Sequence, residues 1–290
     1  MDRKKFLPRF AGFPGWRGIA FFIVFFPVLV TTISAGVLVA PTSVILSDTK
    51  KTGRLTIQNP TDKPKEISID FSFGLPESDS LGNVKVRIDD EAVSGPRSAA
   101  EWIKAYPRKF ILQPDSTQVV RFLAKPPADL ADGEYWARIM VKSQEGQTSI
   151  PVAGQDDRIT TKLNMIMQTA VNLKYRTGNL ISKLEVVRTE ARDLDSTIEI
   201  YLDMVNRGNV SYVGLLNCKL IDNRGRLVSD LTIDLAVYHS LLRRLNLPVK
   251  PGNFERPFKV EVAIGTEGRS DIPSDELIMG NSIALTEPVH

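Results

Sequence analysis

Short runs rich in Val, Ile, Leu, Phe and Thr recur along this chain, separated by turn residues, and helical periodicity is scarce. Such runs can bury their apolar faces only by packing sheet on sheet. Before residue 176 the strand candidates are Val37–Leu46, Thr52–Asn59, Lys65–Phe73, Asn83–Ile88, Val119–Lys125 and Tyr135–Lys142. Asn59-Pro60-Thr61-Asp62-Lys63-Pro64 is a turn, because Pro60 and Pro64 cannot donate to a ladder. Ser98–Ala105 is read as one helical turn before Tyr106-Pro107, and the polar Gln144–Asp157 as a long loop between strands.

After Arg176 the pattern resumes with Leu180–Val187, Thr197–Val205, Tyr212–Ile221, Leu227–Val237 and Phe258–Ile264. Asn206-Arg207-Gly208-Asn209 and Asp222-Asn223-Arg224-Gly225 are the turns between them. About seven short strands at this spacing describe an immunoglobulin-like sandwich. The expectation is an all-β chain: two tandem immunoglobulin-like β-sandwich domains, residues 36–176 and 177–290, after an N-terminal signal segment, residues 1–35.

That segment has a basic start (Arg3, Lys4, Lys5, Arg9, Arg17), the apolar run Ile19–Val30, and small residues at Thr32, Ser34 and Ala35. This is the layout of a secretory signal, with cleavage after Ala35. A second reading stays open. No charge occurs from Gly18 to Ser47, which exceeds the roughly 20 residues that cross a bilayer, so an uncleaved inner-membrane anchor also fits. Either way the bulk of the chain is exported.

The whole chain is +3, but the leader holds five basic residues and one acidic residue, and its removal leaves 32 Lys+Arg against 33 Asp+Glu. The basic excess therefore belongs to the leader and gives no reason to expect a nucleic acid or a membrane surface as partner. A mature chain of about 255 residues is the size of two ordinary domains. Cys218 is the one cysteine, so no internal disulfide can form; its place in the strand-like Leu215–Ile221 makes it a buried free thiol.

One stretch carries more than fold information. Leu163–Arg176 reads Leu-Asn-Met-Ile-Met-Gln-Thr-Ala-Val-Asn-Leu-Lys-Tyr-Arg, with apolar residues at Leu163, Met165, Met167, Val171 and Leu173 and Thr169 as the one polar interruption. On a strand these share one face. Two readings stay open. The row faces its own core, since Ile166 and Ala170 make the opposite face partly apolar; or it lies at a sheet edge and pairs with a strand of another protein.

Residues 37–176 resemble the amino-terminal domain of the PapD-like periplasmic pilus chaperones. The resemblance is carried by Arg54-Leu55-Thr56-Ile57-Gln58-Asn59, by Pro107-Arg108-Lys109-Phe110-Ile111-Leu112-Gln113-Pro114 followed by Gln118-Val119-Val120-Arg121, by Asp132-Gly133-Glu134-Tyr135-Trp136, and by Leu163–Arg176 with its closing Tyr175-Arg176. It suggests a cis bond at Tyr106-Pro107. It implies a chaperone that lends its last amino-terminal-domain strand to an unfinished subunit, with Leu163, Met165, Met167 and Val171 as the client-binding residues. The positions matching the family's basic carboxylate anchors are Ser43 and Asn172, neither of them basic; Lys174 and Arg176 are the neighbouring cations that could replace them. Glu134 and Arg176 match positions that brace the two domains, with an acidic partner expected from the second.

The implied function is capping of secreted pilus or fimbrial-type subunits in the periplasm by donor-strand pairing, without nucleotide or cofactor, and with an outer-membrane usher as a further partner. The alternative is a non-chaperone structural or adhesive envelope protein on the same sandwiches. Enzymatic function has little support. There are two histidines, His239 and His290, and no phosphate loop, metal spacing or nucleophile elbow. Asp89-Asp90-Glu91 and Asp156-Asp157 read as solvated turns, and Asp222–Gly225 as a hairpin turn lacking the oxygen ligands of a calcium loop. No small-molecule substrate and no metal site are expected.

Overall fold

The structure, a computed structural model, describes residues 36–89, 97–145, 165–269 and 272–289. The leader at 1–35, Leu163, most of the loop expected at Gln144–Asp157, and Asp90, Glu91, Asp156, Asp157 and His290 lie outside these residues. The chain is all-β, arranged as two β-sandwiches.

The first is built from β1 (Leu38–Ala40), β2 (Ser43–Ser47), β3 (Thr52–Gln58), β4 (Lys65–Ser78), β5 (Val84–Asp89), a single 3-10 turn at Ala100–Trp102, β6 (Ile103–Tyr106), β7 (Lys109–Leu112), β8 (Thr117–Ala124), β9 (Gly133–Glu145) and β10 (Ile166–Thr177). One sheet has the order β1-β3-β8-β6; the other runs β2-β10-β9-β4-β5, with β7 also on β4. The second sandwich comprises β11 (Leu184–Asp193), β12 (Thr197–Asn206), β13 (Tyr212–Ile221), β14 (Leu227–Val237), β15 (Ser240–Pro248), β16 (Lys259–Gly265) and β17 (Ile283–Pro288). Its sheets are β11-β12-β15 and β14-β13-β16-β17.

Alternation along each strand fills two cores. Leu46, Leu55, Ile57, Ile67, Ile69, Ile139 and Leu173 lie in the first, and Ile198, Ile200, Leu202, Leu216, Leu220 and Val260 in the second. Each fully buried aliphatic side chain contributes about 1.5–3 kcal/mol. Cys218 sits in the second core, where burial pushes its thiol up to about 12. That makes it an inert structural cysteine.

Each sandwich uses an asparagine at a strand end to satisfy a turn. Asn59, fully buried, donates through Nδ2 to the carbonyls of Lys63, Leu112 and Gln113, and its Oδ1 accepts from Thr61. Asn206 does the same for Val210, Val237 and Tyr238, with Oδ1 accepting from the Gly208 amide. An apolar residue at either place would leave several buried carbonyls unpaired.

Several features differ from the sequence expectation, among them Ile103 to Ala105 of the expected helical turn, which belong to β6, and β7, where no strand was expected. The run Val37–Leu46 is two strands in opposite sheets, because Pro41 interrupts the ladder between β1 and β2. The strands β15 and β17 carry no clear β signal. In β15 the inward row Leu241, Arg243, Leu245, Leu247 contains no β-branched residue and includes a charge. The candidates Lys65–Phe73 and Asn83–Ile88 join into one long hairpin, because β4 continues past its contact with β9 to pair with β5 as far as Ser78. The Tyr106–Pro107 bond is cis.

That hairpin reaches the second sandwich. The Arg244 amide donates to the Gly82 carbonyl (3.0 Å), the Leu242 amide to Ser78 Oγ (2.9 Å) and Arg244 Nη2 to Asn83 Oδ1 (2.8 Å), while Val84 packs against the second core. Gly82 has φ +75°, and a Cβ there would lie 2.7 Å from the Arg244 nitrogen. Both facts exclude a side chain. Gly82→Val should therefore detach the hairpin tip at a cost of about 1–3 kcal/mol. Amide exchange at Leu242 and Arg244 checks this: protection lost at both is the expected outcome, and unchanged protection contradicts the strap.

Candidate functional site

Strand β10 is flanked unequally. On one side it pairs antiparallel with β9 from Ile166↔Gln144 to Thr177↔Gly133. On the other it pairs in parallel with β2 only from Asn172↔Ser43 onward. The Asn172 amide donates to the Thr42 carbonyl on that second side. By the two-residue repeat, the backbone groups of Ile166, Gln168 and Ala170 face the same side, where no strand among the described residues meets them.

Exposure changes at the same point. Residues 165–170 are all exposed, with Met165 at 58 %, Ile166 at 62 % and Met167 at 39 %. From Val171 onward the odd positions are core: Val171, Leu173 and Tyr175 are at most 3 % exposed. The apolar row thus divides at Val171 into an exposed part and a core part. Val171, expected with the methionines as a client contact, is buried in the core of its own sandwich. Leu163 lies outside the described residues. Ile166 was not singled out in the sequence, because it lies on the face opposite the methionines.

The even positions of β10 turn to the junction between the sandwiches. Lys174 and Arg176 are buried there, and both hold the fully buried Glu134 of β9. Lys174 Nζ lies 3.3 Å from Glu134 Oε1, and Arg176 Nε donates to Oε2 at 2.9 Å. Trp136 Nε1 donates to Oε1 at 2.7 Å, and the same oxygen accepts from the Ser211 amide of the second sandwich at 3.3 Å and from the Ser211 hydroxyl. The Ser211 hydroxyl also accepts from Lys174 Nζ at 2.6 Å, and Arg176 Nη1 donates to the Glu276 carbonyl. Burial alone raises the Glu134 carboxyl. Lys174 and Arg176, then the Ser211 and Trp136 donors, outweigh it and hold the group down at about 2.

Apolar contacts flank this centre. Ile45 meets Val213 and Ile272 on one side. On the other, Leu75 and Trp136 pack with Tyr238, the two rings 5.0 Å apart, and Lys174 Nζ lies 5.4 Å from the Tyr238 centroid. The end of β10 is fastened by Asp48, which accepts from the Tyr175 hydroxyl (2.7 Å) and the Thr177 hydroxyl (2.6 Å). The Thr177 bond first, then that of Tyr175, lowers its pKa.

The geometry brings Glu134, Lys174 and Arg176 together and leaves Met165 and Met167 apart from them at the open end of the strand. The partner from the second sandwich is a serine hydroxyl and a backbone carbonyl, where an acidic side chain was expected. Nothing in the sequence marks Ser211 for this. Lys174 and Arg176, expected as anchors for a foreign carboxylate, are occupied by an internal one, with side chains only 4 % and 10 % exposed. Ser43 and Asn172 do lie directly opposite each other, and the buried Asn172 Oδ1 has no hydrogen-bond partner among the described residues.

No family model matches the sequence, and no curated protein matches it. Solved structures of fimbrial chaperones match most of the chain at low identity. The Pseudomonas aeruginosa CupB2 chaperone is 10 % identical over 87 % of this chain and 100 % of that one, with a TM-score of 0.42. The E. coli chaperone DraB is 15 % identical over 87 % and 96 %, with a TM-score of 0.41. The Salmonella enterica SafA pilin in complex with the SafB chaperone gives 13 % identity over 88 % and 98 %, and a TM-score of 0.43.

The Glu134 centre predicts a pH dependence. A carboxyl lowered from 4.5 to about 2 contributes stability that is complete above about pH 4.5 and is lost as pH falls toward 2. Glu134→Gln should cost about 3–5 kcal/mol at neutral pH, because two buried cations lose their counter-charge. Thermal unfolding of both proteins from pH 7 to pH 2 checks this: the gap should close over that window, and a constant gap contradicts the account.

Proposed function

We propose that the chain is an exported, periplasmic chaperone that caps secreted pilin-like or surface-fibre subunits by lending them the open edge of β10. Its two domains are assigned to residues 36–176 and 177–290, and 1–35 to the export signal. The single observation that carries this reading is the stretch 166–170, which pairs with β9 on one side, meets no strand among the described residues on the other, and lies with the exposed Met165 and Met167.

Such an edge supports capture by elementary means. Main-chain hydrogen bonds add a client strand whatever its sequence, and alternate side chains supply affinity in its groove. Met165 and Met167 would contribute about 1.5–3 kcal/mol each on burial, before ordering costs. Methionine is flexible and polarizable, which suits related but unequal grooves. No nucleotide is required, since pairing and apolar burial drive the reaction. The Glu134 centre supports the bracing role proposed for Glu134 and Arg176, and Lys174 joins it. An outer-membrane usher is proposed as the acceptor of the capped subunit.

The test is Met165→Asp with Met167→Asp. Both side chains are exposed in the free protein, so its thermal unfolding should be unchanged. In a complex each carboxylate would enter an apolar groove unpaired, and affinity for a purified fibre subunit should fall at least about 100-fold. A folded double variant that still captures its subunit rules the assignment out, as does one that fails to fold.

A further inference from the structure

The near-zero net charge of the exported chain conceals an uneven distribution. The solvent face of the sheet β1-β3-β8-β6 lies on the side of the first sandwich away from β10. Its register sets Arg54 directly opposite Arg121, with Tyr106 on the other flank of Arg121, and sets Lys104 opposite Leu123 in the adjoining row. Like charges placed opposite each other on neighbouring strands repel. None of the outward positions paired in this sheet is acidic. Elsewhere on this sandwich cations are neutralised: Arg108 by Asp70, Lys63 by Glu145 and Arg87 by Glu77. Among the described residues, Arg54, Arg121 and Lys104 have no such ion pair.

The same face is also partly apolar. Leu38 and Tyr106 are each 58 % exposed and Val119 is 41 % exposed, interspersed with the cations. A soluble acidic chain would match the charges but would leave these three side chains in water. A lipid headgroup layer takes both, phosphates against the cations and the upper acyl region against the apolar and aromatic groups. We propose that the outer face of β1-β3-β8-β6, through Arg54, Arg121, Lys104, Tyr106 and Val119, docks the protein on an anionic phospholipid surface. This does not depend on the function proposed for β10, which lies in the other sheet.

Sedimentation with vesicles tests it on the protein as isolated from cells. Binding is expected to phosphatidylcholine vesicles containing phosphatidylglycerol, to weaken with salt, and to be lost on phosphatidylcholine alone. Each cation near an anionic leaflet is worth about fivefold in partitioning, so Arg54→Gln with Arg121→Gln should lower it about 25-fold with thermal unfolding unchanged. Lys104→Gln, on a different strand, should lower it about fivefold. Failure of the wild type to bind mixed vesicles overturns the proposal. So does equal binding by the charge variants, and so does binding to soluble polyglutamate with none to vesicles.

Discussion

The arrangement depends on one buried carboxylate. Glu134 has two cations and three further donors around it, drawn from both sandwiches. A carboxylate without solvent must be fully compensated or it becomes protonated. Here compensation requires Lys174 and Arg176 from β10 and Ser211 from the second sandwich together, so the junction forms only when β10 and the second sandwich are both in place. The Gly82 strap and the Trp136–Tyr238 contact add fixed points at the same junction.

A single strand then serves three surroundings. The odd side chains from Val171 to Tyr175 belong to the first core, and the even side chains Lys174 and Arg176 belong to the junction. The stretch before Val171 belongs to neither, and one of its backbone edges meets no strand among the described residues. Because the cation pair is engaged with Glu134, the proposed client interaction relies on backbone pairing and apolar burial. Charge is gathered at the junction, where Glu134 and Arg176 contact residues of the second sandwich. The lipid-facing charge proposed for Arg54 and Arg121 is on the opposite sheet, so docking and capture do not compete for residues.

Much of this was legible in the sequence because it is local. Alternation marked most of the strands, turn residues marked their ends, and Leu163–Arg176 stood out by its row of apolar residues. The limits are equally physical. Alternation cannot tell a core row from an edge row, so Val171 and Met167 looked alike until their neighbours were known. Lys174 looked free because Glu134, forty residues earlier, becomes its partner only through the β9–β10 register. Ser211 and the Gly82–Arg244 contact are likewise products of long-range packing. The strand β15 escaped notice because Leu and Arg occupy positions where β-branched residues would have signalled it. The neutral total charge hid the basic sheet face because register, and no sequence run, collects Arg54, Arg121 and Lys104.

The central claim is that the edge of β10 before Asn172 is open and is filled by a client strand. Residue-resolved amide exchange, with and without a bound fibre subunit, reads this directly. In the free protein the amides of Ile166, Gln168 and Ala170 should exchange quickly, while those of Met167 and Thr169, which face β9, are slower. Subunit binding should slow the first set selectively. Protection of Ile166, Gln168 and Ala170 in the free protein, or no change when the subunit binds, would contradict the account.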